Sequence, residues 1–154
     1  MKISEIMTKA AVSDSADDTV AEAARRMHEQ QTGSLLVMDG DRLVGIITER
    51  DVLKAVGRGI DPAALPIKDA MTTDVITIEP DTRLREAAKL MATKWIRHLP
   101  VVESGRVVGI VSQRDLTGVL AEALNEPEAL HTLVESSQLV REIRLKRIEH
   151  GDLD

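Results

Sequence analysis

Two stretches, Gly45-Ile-Ile-Thr-Glu-Arg-Asp51 and Gly109-Ile-Val-Ser-Gln-Arg-Asp115, share one spacing of glycine, hydroxyl and carboxylate residues. Working outward from them, residues 3–55 align with residues 67–119 without a gap, and 16 of the 53 aligned pairs are identical. Similarity of a chain to itself at a fixed offset indicates a repeated structural unit. The sequence therefore predicts a duplicated fold.

Both copies show the same order of apolar and polar segments. Strands are predicted at 11–13, 35–38 and 43–47 in the first copy and at 75–78, 99–102 and 107–111 in the second. In each copy a helix follows a cap-forming segment, Asp17-Asp18-Thr19 or Pro80-Asp81-Thr82, and carries Met27 or Met91 in the core. A last helix is predicted at 49–56 and at 113–124. Each copy is therefore a β-α-β-β-α unit, and the fold class is α/β, of the α+β kind, with two repeats packed about a pseudo-two-fold axis.

The predicted domain organisation is repeat 1 at residues 1–60, repeat 2 at 61–124, and a C-terminal helix and tail at 125–154. Glycines and prolines interrupt any helix between Gly57 and Pro66, which is typical of a short linker. Beyond the repeat, Pro127 suits the first turn of a new helix that reaches about Glu149. This helix has no counterpart in the other half, and its predicted apolar stripe is Ala129, Leu133, Val140 and Ile143.

Composition excludes several classes of function. The chain has no cysteine, so disulfides, thiolate metal sites and cysteine nucleophiles are ruled out. A net charge of −6 and a single aromatic residue, Trp95, argue against nucleic-acid binding. No apolar run reaches the length of a membrane span, and the first ten residues lack the apolar centre of a secretion signal. We therefore expect a cytoplasmic protein that does not bind a membrane.

The two repeated stretches place chemistry at the start of a helix. Thr48 or Ser112 occupies the cap position, and Asp51 or Asp115 lies in the first turn. One interpretation is purely structural, because a hydroxyl caps the helix and the carboxylate favours its positive end. The other is a binding site, in which the carboxylate holds two vicinal hydroxyls of a ribose and the hydroxyl and helix N-terminus hold a phosphate.

The duplicated pattern resembles a tandem CBS (cystathionine-β-synthase) domain pair, also called a Bateman module, in a stand-alone protein. The resemblance covers residues 1 to about 124, and the second copy, with Ile96-Arg97-His98-Leu99-Pro100-Val101-Val102, is the closer match. It implies regulatory binding of an adenosine-containing ligand, AMP, ADP or ATP, with S-adenosylmethionine or NAD as further possibilities, in a cleft between the repeats.

The resemblance also implies roles for individual residues. Ribose is held by Asp51 and Asp115, and Thr48 and Ser112 lie near ribose or phosphate. Adenine lies against the first strand, around Thr8 to Val12 and Thr72 to Ile76. The nucleotide-binding residues it implies are Thr8, Val12, Thr48, Arg50, Asp51, Thr72, Val75, Arg97, His98, Ser112, Arg114 and Asp115. The first copy departs from this pattern, because Gly33 and Ser34 replace Arg97 and His98, so the two clefts should be unequal.

Three classes of function compete. The first is a sensor that binds an adenine nucleotide and transmits a conformational change to a separate, unidentified partner. The second is a structural or dimerisation module with degenerate nucleotide sites. The third, an enzyme, is disfavoured because the sequence offers no nucleophile–base pair, metal constellation or phosphate loop; catalytic residues, metal ligands and a catalytic cofactor are not expected. A homodimer is expected, and the basic cluster Arg141, Arg144, Lys146 and Arg147 is either a solvated face or a docking surface.

Overall fold

The computed structural model of the chain describes residues 1–9, 11–123 and 127–150, and it is a mixed α+β structure. A short 3₁₀ helix at Ile3–Glu5 comes first. The helices are α1 (Val20–Glu29), α2 (Glu49–Gly57), α3 (Ile67–Ala70), α4 (Leu84–Lys94), α5 (Gln113–Ala123) and α6 (Pro127–His150). The strands are β1 (Ser13–Asp14), β2 (Ser34–Asp39), β3 (Arg42–Thr48), β4 (His98–Glu103) and β5 (Arg106–Ser112).

Helix, two strands and helix recur in both copies, which confirms this part of the predicted unit. β2 and β3 are antiparallel, β1 joins β2 in parallel, and β4 and β5 form a second sheet. The turns between the paired strands use Gly40 (φ 59°) and Gly105 (φ 79°), where a left-handed backbone favours glycine. The order of elements therefore follows the sequence repeat from α1 onward and again from α4 onward.

The first strand of each copy differs from the prediction. β1 has only two residues, and 75–78 is not a strand: Ile78 alone bridges Val101. In the first copy the Leu36 N–H donates to the Val12 carbonyl at 3.0 Å. The aligned residue in the second copy is Pro100, which has no N–H to donate. The missing donor explains why the second copy keeps a single bridge.

The helix caps are confirmed in one copy and wrong in the other. Thr19 caps α1, and its side-chain oxygen accepts a hydrogen bond from the Glu22 N–H at 3.2 Å. Helix α4 begins at Leu84 with Arg83 at the cap, instead of a residue of Pro80-Asp81-Thr82. Arg83 aligns with Thr19, so the register of the repeat is kept although the capping hydroxyl is lost. The short helix α3, within the first residues of the second copy, was not predicted.

The chain divides into two compact units, and each unit draws on both copies of the repeat. Unit 1 consists of Met1–Met7, Pro80–Leu99 and Val111–Asp154, and unit 2 of Thr8–Glu79 and Pro100–Ile110. In unit 1, the Ile3 N–H donates to the Thr82 carbonyl and the Ser4 N–H to the Pro80 carbonyl, both at 2.9 Å. The first residues of copy 1 are thereby bound to copy 2.

The reverse exchange occurs in unit 2. The Ile67 N–H donates to the Asp18 carbonyl at 2.8 Å, and the Lys68 N–H donates to the Ala16 carbonyl at 3.0 Å. These four residues are the repeat counterparts of the four in unit 1. The segment that opens each copy therefore hydrogen-bonds to the other copy, twice and in the same register.

The two cores repeat this exchange. The core of unit 2 contains Val20, Ala23, Met27, Leu35, Val37, Ile47 and Ile67. The buried apolar residues of unit 1 include Ile3, Ala87, Met91, Leu99 and Val111. Met27 and Met91 are core residues, as predicted. Ile67 of the second copy completes the core built by the first, and Ile3 is buried in unit 1, so both units depend on the exchanged segments.

Helix α6 carries the predicted apolar stripe, and the structure describes part of it. Of its residues, the Ala129 and Leu133 side chains lie outside the described residues, Ile143 is half-buried, and Val140 is exposed. The stripe stays a prediction.

A buried ion pair distinguishes the first copy from the second. The Asp14 side chain is fully buried and pairs with Arg26 of α1, which is 39% exposed. The aligned residues of the second copy are Ile78 and Leu90, both apolar. One scaffold thus accepts either a charged or an apolar pair at this position.

We expect Arg26→Leu to destabilise the protein by about 3 kcal/mol, because it leaves a buried carboxylate without its partner. The double variant Asp14→Ile with Arg26→Leu copies the second repeat and should recover most of that loss. Urea unfolding followed by circular dichroism measures both free energies. A double variant no more stable than Arg26→Leu would contradict the prediction.

Candidate functional site

The start of α2 joins a hydroxyl and a carboxylate. Asp51 Oδ2 accepts hydrogen bonds from the Thr48 backbone N–H at 2.8 Å and from Thr48 Oγ1 at 3.1 Å. Both residues are half-buried. The carboxylate thus satisfies an N–H that the helix itself leaves unpaired, which is the reciprocal half of a capping box.

The start of α5 repeats this arrangement. Asp115 Oδ2 accepts from the Ser112 N–H at 2.7 Å and from Ser112 Oγ at 2.8 Å. Ser112 Oγ in turn accepts a longer bond from the Asp115 N–H at 3.4 Å. The spacing common to the two sequence stretches therefore produces the same local geometry in both copies.

Helix capping alone explains these bonds, because α1 has a capping box of the same kind outside the two repeated stretches. In α1 a Glu22 oxygen accepts from the Thr19 N–H at 2.7 Å, and this backbone hydrogen bond is the main cause that lowers the pKa of Glu22. In Asp51 and Asp115, however, both bonds fall on Oδ2, so the helix cap does not use the second oxygen, Oδ1. Each carboxylate keeps an acceptor oxygen that a ligand hydroxyl can use.

Thr72 lies beside the end of β3. Its N–H donates to the Ile46 carbonyl at 2.9 Å, and the Ile46 N–H donates to the Thr72 carbonyl at 3.0 Å. Ile46 precedes Thr48 by two residues, so a segment of the second copy borders the Thr48–Asp51 pair of the first. Within unit 2 the fold thus places Thr72 beside the strand that leads to Thr48 and Asp51.

Gly45 permits this close approach. A Cβ built on Gly45 collides with the Met71 side chain and lies 3.1 Å from the Thr72 carbonyl oxygen. Sequence reasoning missed both Gly45 and Met71 as site-shaping residues. Gly45 is repeated as Gly109 and Met71 as Met7, and this repetition could have drawn attention to both positions. It does not tell whether a glycine contacts the methionine of its own copy or of the other copy.

Thr8 makes the equivalent contact with the second copy. It exchanges two backbone hydrogen bonds with Ile110, at 2.9 and 3.0 Å, and both residues belong to unit 2. Of the other residues on the first-strand segments, Val12 packs against the core of unit 2 and Val75 is half-buried. The side chains of Thr8 and Thr72 are both exposed.

Arg97 lies beside the start of its own copy's last helix. The Gln113 N–H donates to the Arg97 carbonyl at 2.8 Å, as the Glu49 N–H donates to Gly33 at 3.0 Å in the first copy. The Arg97 side chain is exposed, and His98, the first residue of β4, is half-buried. In unit 1 the basic residue is therefore next to the helix that carries Asp115.

The remaining sequence candidates are Arg50 and Arg114, which lie in the first turns of α2 and α5 and are exposed. Across the described residues, no group of three side chains is arranged to hold a metal ion. None of the described helices has both the length and the apolarity that a membrane crossing requires.

Comparison with known proteins gives consistent matches over the duplicated part. The 17.7 kDa protein in the bps2 3′ region of Acidianus ambivalens is 43% identical over 124 residues, covering 79% of this chain and 74% of its own. The CBS domain pair of protein MJ0100, in complex with 5′-methylthioadenosine and S-adenosyl-L-methionine, is 29% identical with a TM-score of 0.74, covering 79% and 97%. The CBS domain protein PAE2072 from Pyrobaculum aerophilum, complexed with AMP, is 28% identical with a TM-score of 0.72, covering 82% and 100%.

The family model for the CBS domain matches the chain twice, at residues 3–58 and 67–122. These two ranges coincide with the sequence repeat and include both Asp-bearing helix starts. The chain therefore belongs to the CBS domain family and carries two copies of the domain.

Proposed function

We propose that this protein is a regulatory module that binds an adenosine-containing ligand such as AMP, ADP or ATP at the Asp51 and Asp115 helix starts. One observation carries the proposal: within unit 2, Thr72 of one copy borders the Thr48–Asp51 pair of the other. The backbone of the Thr72 segment supplies a surface for a purine base, and Asp51 Oδ1 supplies an acceptor for ribose hydroxyls. Two structurally similar proteins hold AMP, or 5′-methylthioadenosine and S-adenosylmethionine, which supports the same ligand class here.

Regulation requires that the ligand bind one arrangement of the protein better than another, since only differential affinity shifts an equilibrium. In this proposal the regulated activity belongs to a separate partner protein. A second candidate function is a structural or dimerisation module. The capping boxes favour it, because helix capping by itself accounts for Asp51 and Asp115.

Ligand binding separates the two candidates. A panel of AMP, ADP, ATP, S-adenosylmethionine, NAD and GTP should include at least one adenosine compound that stabilises the protein by about 2.7 kcal/mol at 100 times its dissociation constant. Asp115→Ala and Asp51→Ala should weaken binding at least tenfold at the site concerned, with the larger loss for Asp115→Ala. Differential scanning fluorimetry and titration calorimetry measure these effects.

Glu22→Ala is the matched control, because it removes a capping carboxylate from α1, outside the proposed site. All three variants should lose about 1 kcal/mol of folding stability, whereas only the two aspartate variants should lose affinity. No response to any compound would favour the structural module. Equal affinity losses in Asp51→Ala and Asp115→Ala would contradict the asymmetry between the copies.

Arg97 gives a separate test of phosphate recognition. We expect Arg97→Gln to weaken AMP binding about tenfold and to leave adenosine binding unchanged, because a charge-assisted hydrogen bond contributes roughly 1.5–3 kcal/mol. Arg106→Gln, an exposed arginine at the start of β5, is the control. Equal losses for AMP and adenosine would mean that Arg97 does not contact phosphate.

We also expect a homodimer, because modules that resemble this one commonly pair. Light scattering after size exclusion should then give about twice the 16.9 kDa chain mass. A monomer at concentrations up to roughly 100 µM, where weak complexes form, would exclude a stable pair.

A further inference from the structure

One hydroxyl at the start of β2 is buried without a hydrogen-bond partner. Ser34 is 3% exposed, and no described residue bonds to its Oγ. The backbone beside it is held in place, because Thr32 Oγ1 donates to the Ser34 carbonyl at 3.2 Å. Buried hydroxyls in proteins are mostly hydrogen-bonded, since leaving one unpaired costs free energy. A ligand that bonds to Ser34 Oγ would recover that cost.

The strand register places this hydroxyl beside the candidate site. Ser34 pairs with Thr48 across the antiparallel β2–β3 ladder. Side chains of directly paired residues project from the same face of a sheet, with Cβ atoms about 5 Å apart. Thr48 Oγ1 donates to Asp51 Oδ2 at 3.1 Å. The next pair, Leu35 and Ile47, belongs to the core of unit 2 on the opposite face. Ser34 therefore shares the face that leads to Asp51.

The Ser34 side chain can turn within this face without breaking a hydrogen bond. A serine side chain changes between staggered rotamers, and each change swings Oγ around the Cα–Cβ bond. Thr48 and Asp51 are half-buried, so the face reaches solvent beside Ser34. A polar group of a ligand held by Asp51 can therefore meet Ser34 Oγ.

The backbone N–H groups at the start of α2 already have acceptors. The Thr48 N–H donates to Asp51 Oδ2 at 2.8 Å, and the Glu49 N–H donates to the Gly33 carbonyl at 3.0 Å. The negative charge of Asp51 also offsets the positive end of the helix. A helix start binds phosphate through unpaired N–H groups and this positive end. The start of α2 therefore suits an anionic group only if a cation lies beside it.

An arginine next to the helix start distinguishes the second copy. Arg97 lies beside the start of α5, whereas the aligned residue beside α2 is Gly33, which has no side chain. Arg50 in the first turn of α2 matches Arg114 in α5, so this cation is common to both copies. The first copy thus offers a neutral hydroxyl near Asp51 where the second copy adds a positive charge near its own aspartate.

We propose that the Asp51 site selects an adenosine ligand with an uncharged 5′ substituent, and that Ser34 Oγ bonds to the polar atom of that substituent. The inference rests on the proposed function, in which Arg97 meets phosphate at the equivalent position of the second copy. A hydroxyl pairs with a neutral group without a countercharge, whereas a phosphate buried beside Asp51 requires one. One chain would then sense two chemical forms of the same nucleoside.

Each site is tested alone by removing the aspartate of the other. In the Asp115→Ala chain, adenosine should bind about tenfold more tightly than AMP, because AMP brings a second negative charge close to Asp51. In the Asp51→Ala chain the preference should reverse. Titration calorimetry at constant ionic strength measures both affinities. AMP binding as tightly as adenosine to the Asp115→Ala chain would overturn the inference and leave the proposed function intact, whereas no binding to either chain would overturn both.

Ser34→Ala in the Asp115→Ala chain tests the hydroxyl itself. It should weaken adenosine binding roughly fivefold, because one neutral hydrogen bond is lost, and leave 5′-deoxyadenosine binding unchanged. Ser13→Ala, which removes an exposed hydroxyl from β1, is the matched control and should change neither affinity. Equal losses for the two compounds, or no loss for adenosine, would reject the contact between Ser34 and the 5′ group.

Thermal unfolding without ligand gives a readout that separates this role from a structural one. Ser34→Ala should leave the melting temperature unchanged or raise it, because the hydroxyl that it removes is buried and unpaired. A melting temperature lowered by several degrees would show that Ser34 Oγ stabilises the fold through a hydrogen bond of its own, and would contradict the inference.

Discussion

The exchange of backbone hydrogen bonds between the copies is the interaction on which the rest of this structure depends. Ile3 is bound to the Thr82 carbonyl in unit 1, and Ile67 is bound to the Asp18 carbonyl in unit 2. Each isoleucine is also fully buried. A unit of about 60 residues is only marginally stable alone, and the borrowed segment adds both core and hydrogen bonds. Neither copy is therefore complete without the other.

The same exchange shapes the candidate site. Carrying the first segment of copy 2 into unit 2 aligns Thr72 with Ile46, and the missing side chain of Gly45 lets the two backbones approach. The carboxylate that caps α2 then borders a segment from elsewhere in the chain. A residue that stabilises a helix and a residue that binds a ligand can thus be the same aspartate, since the two roles use different oxygens.

The copies have diverged where the fold tolerates it. The buried Asp14–Arg26 pair of the first copy aligns with Ile78 and Leu90, and Pro100 removes a strand hydrogen bond that Leu36 makes. These changes leave the helices and paired strands in register. They alter the surroundings of the two helix starts. The difference most relevant to an anionic ligand is Arg97, which aligns with Gly33 in the first copy.

The repeat, its register and the pairing of hydroxyl and carboxylate at the starts of α2 and α5 could be read from the sequence, because they depend on residues a few positions apart or on a fixed offset. The two Gly-x-x-hydroxyl-x-x-Asp stretches determined Thr48–Asp51 and Ser112–Asp115 in this way. The sequence did not determine that Thr72 meets Ile46, nor that Val140 is exposed. Those facts depend on which copy's segment each core accepts and on which face of α6 meets Trp95. Only long-range packing decides such choices, since the two copies offer nearly the same local pattern.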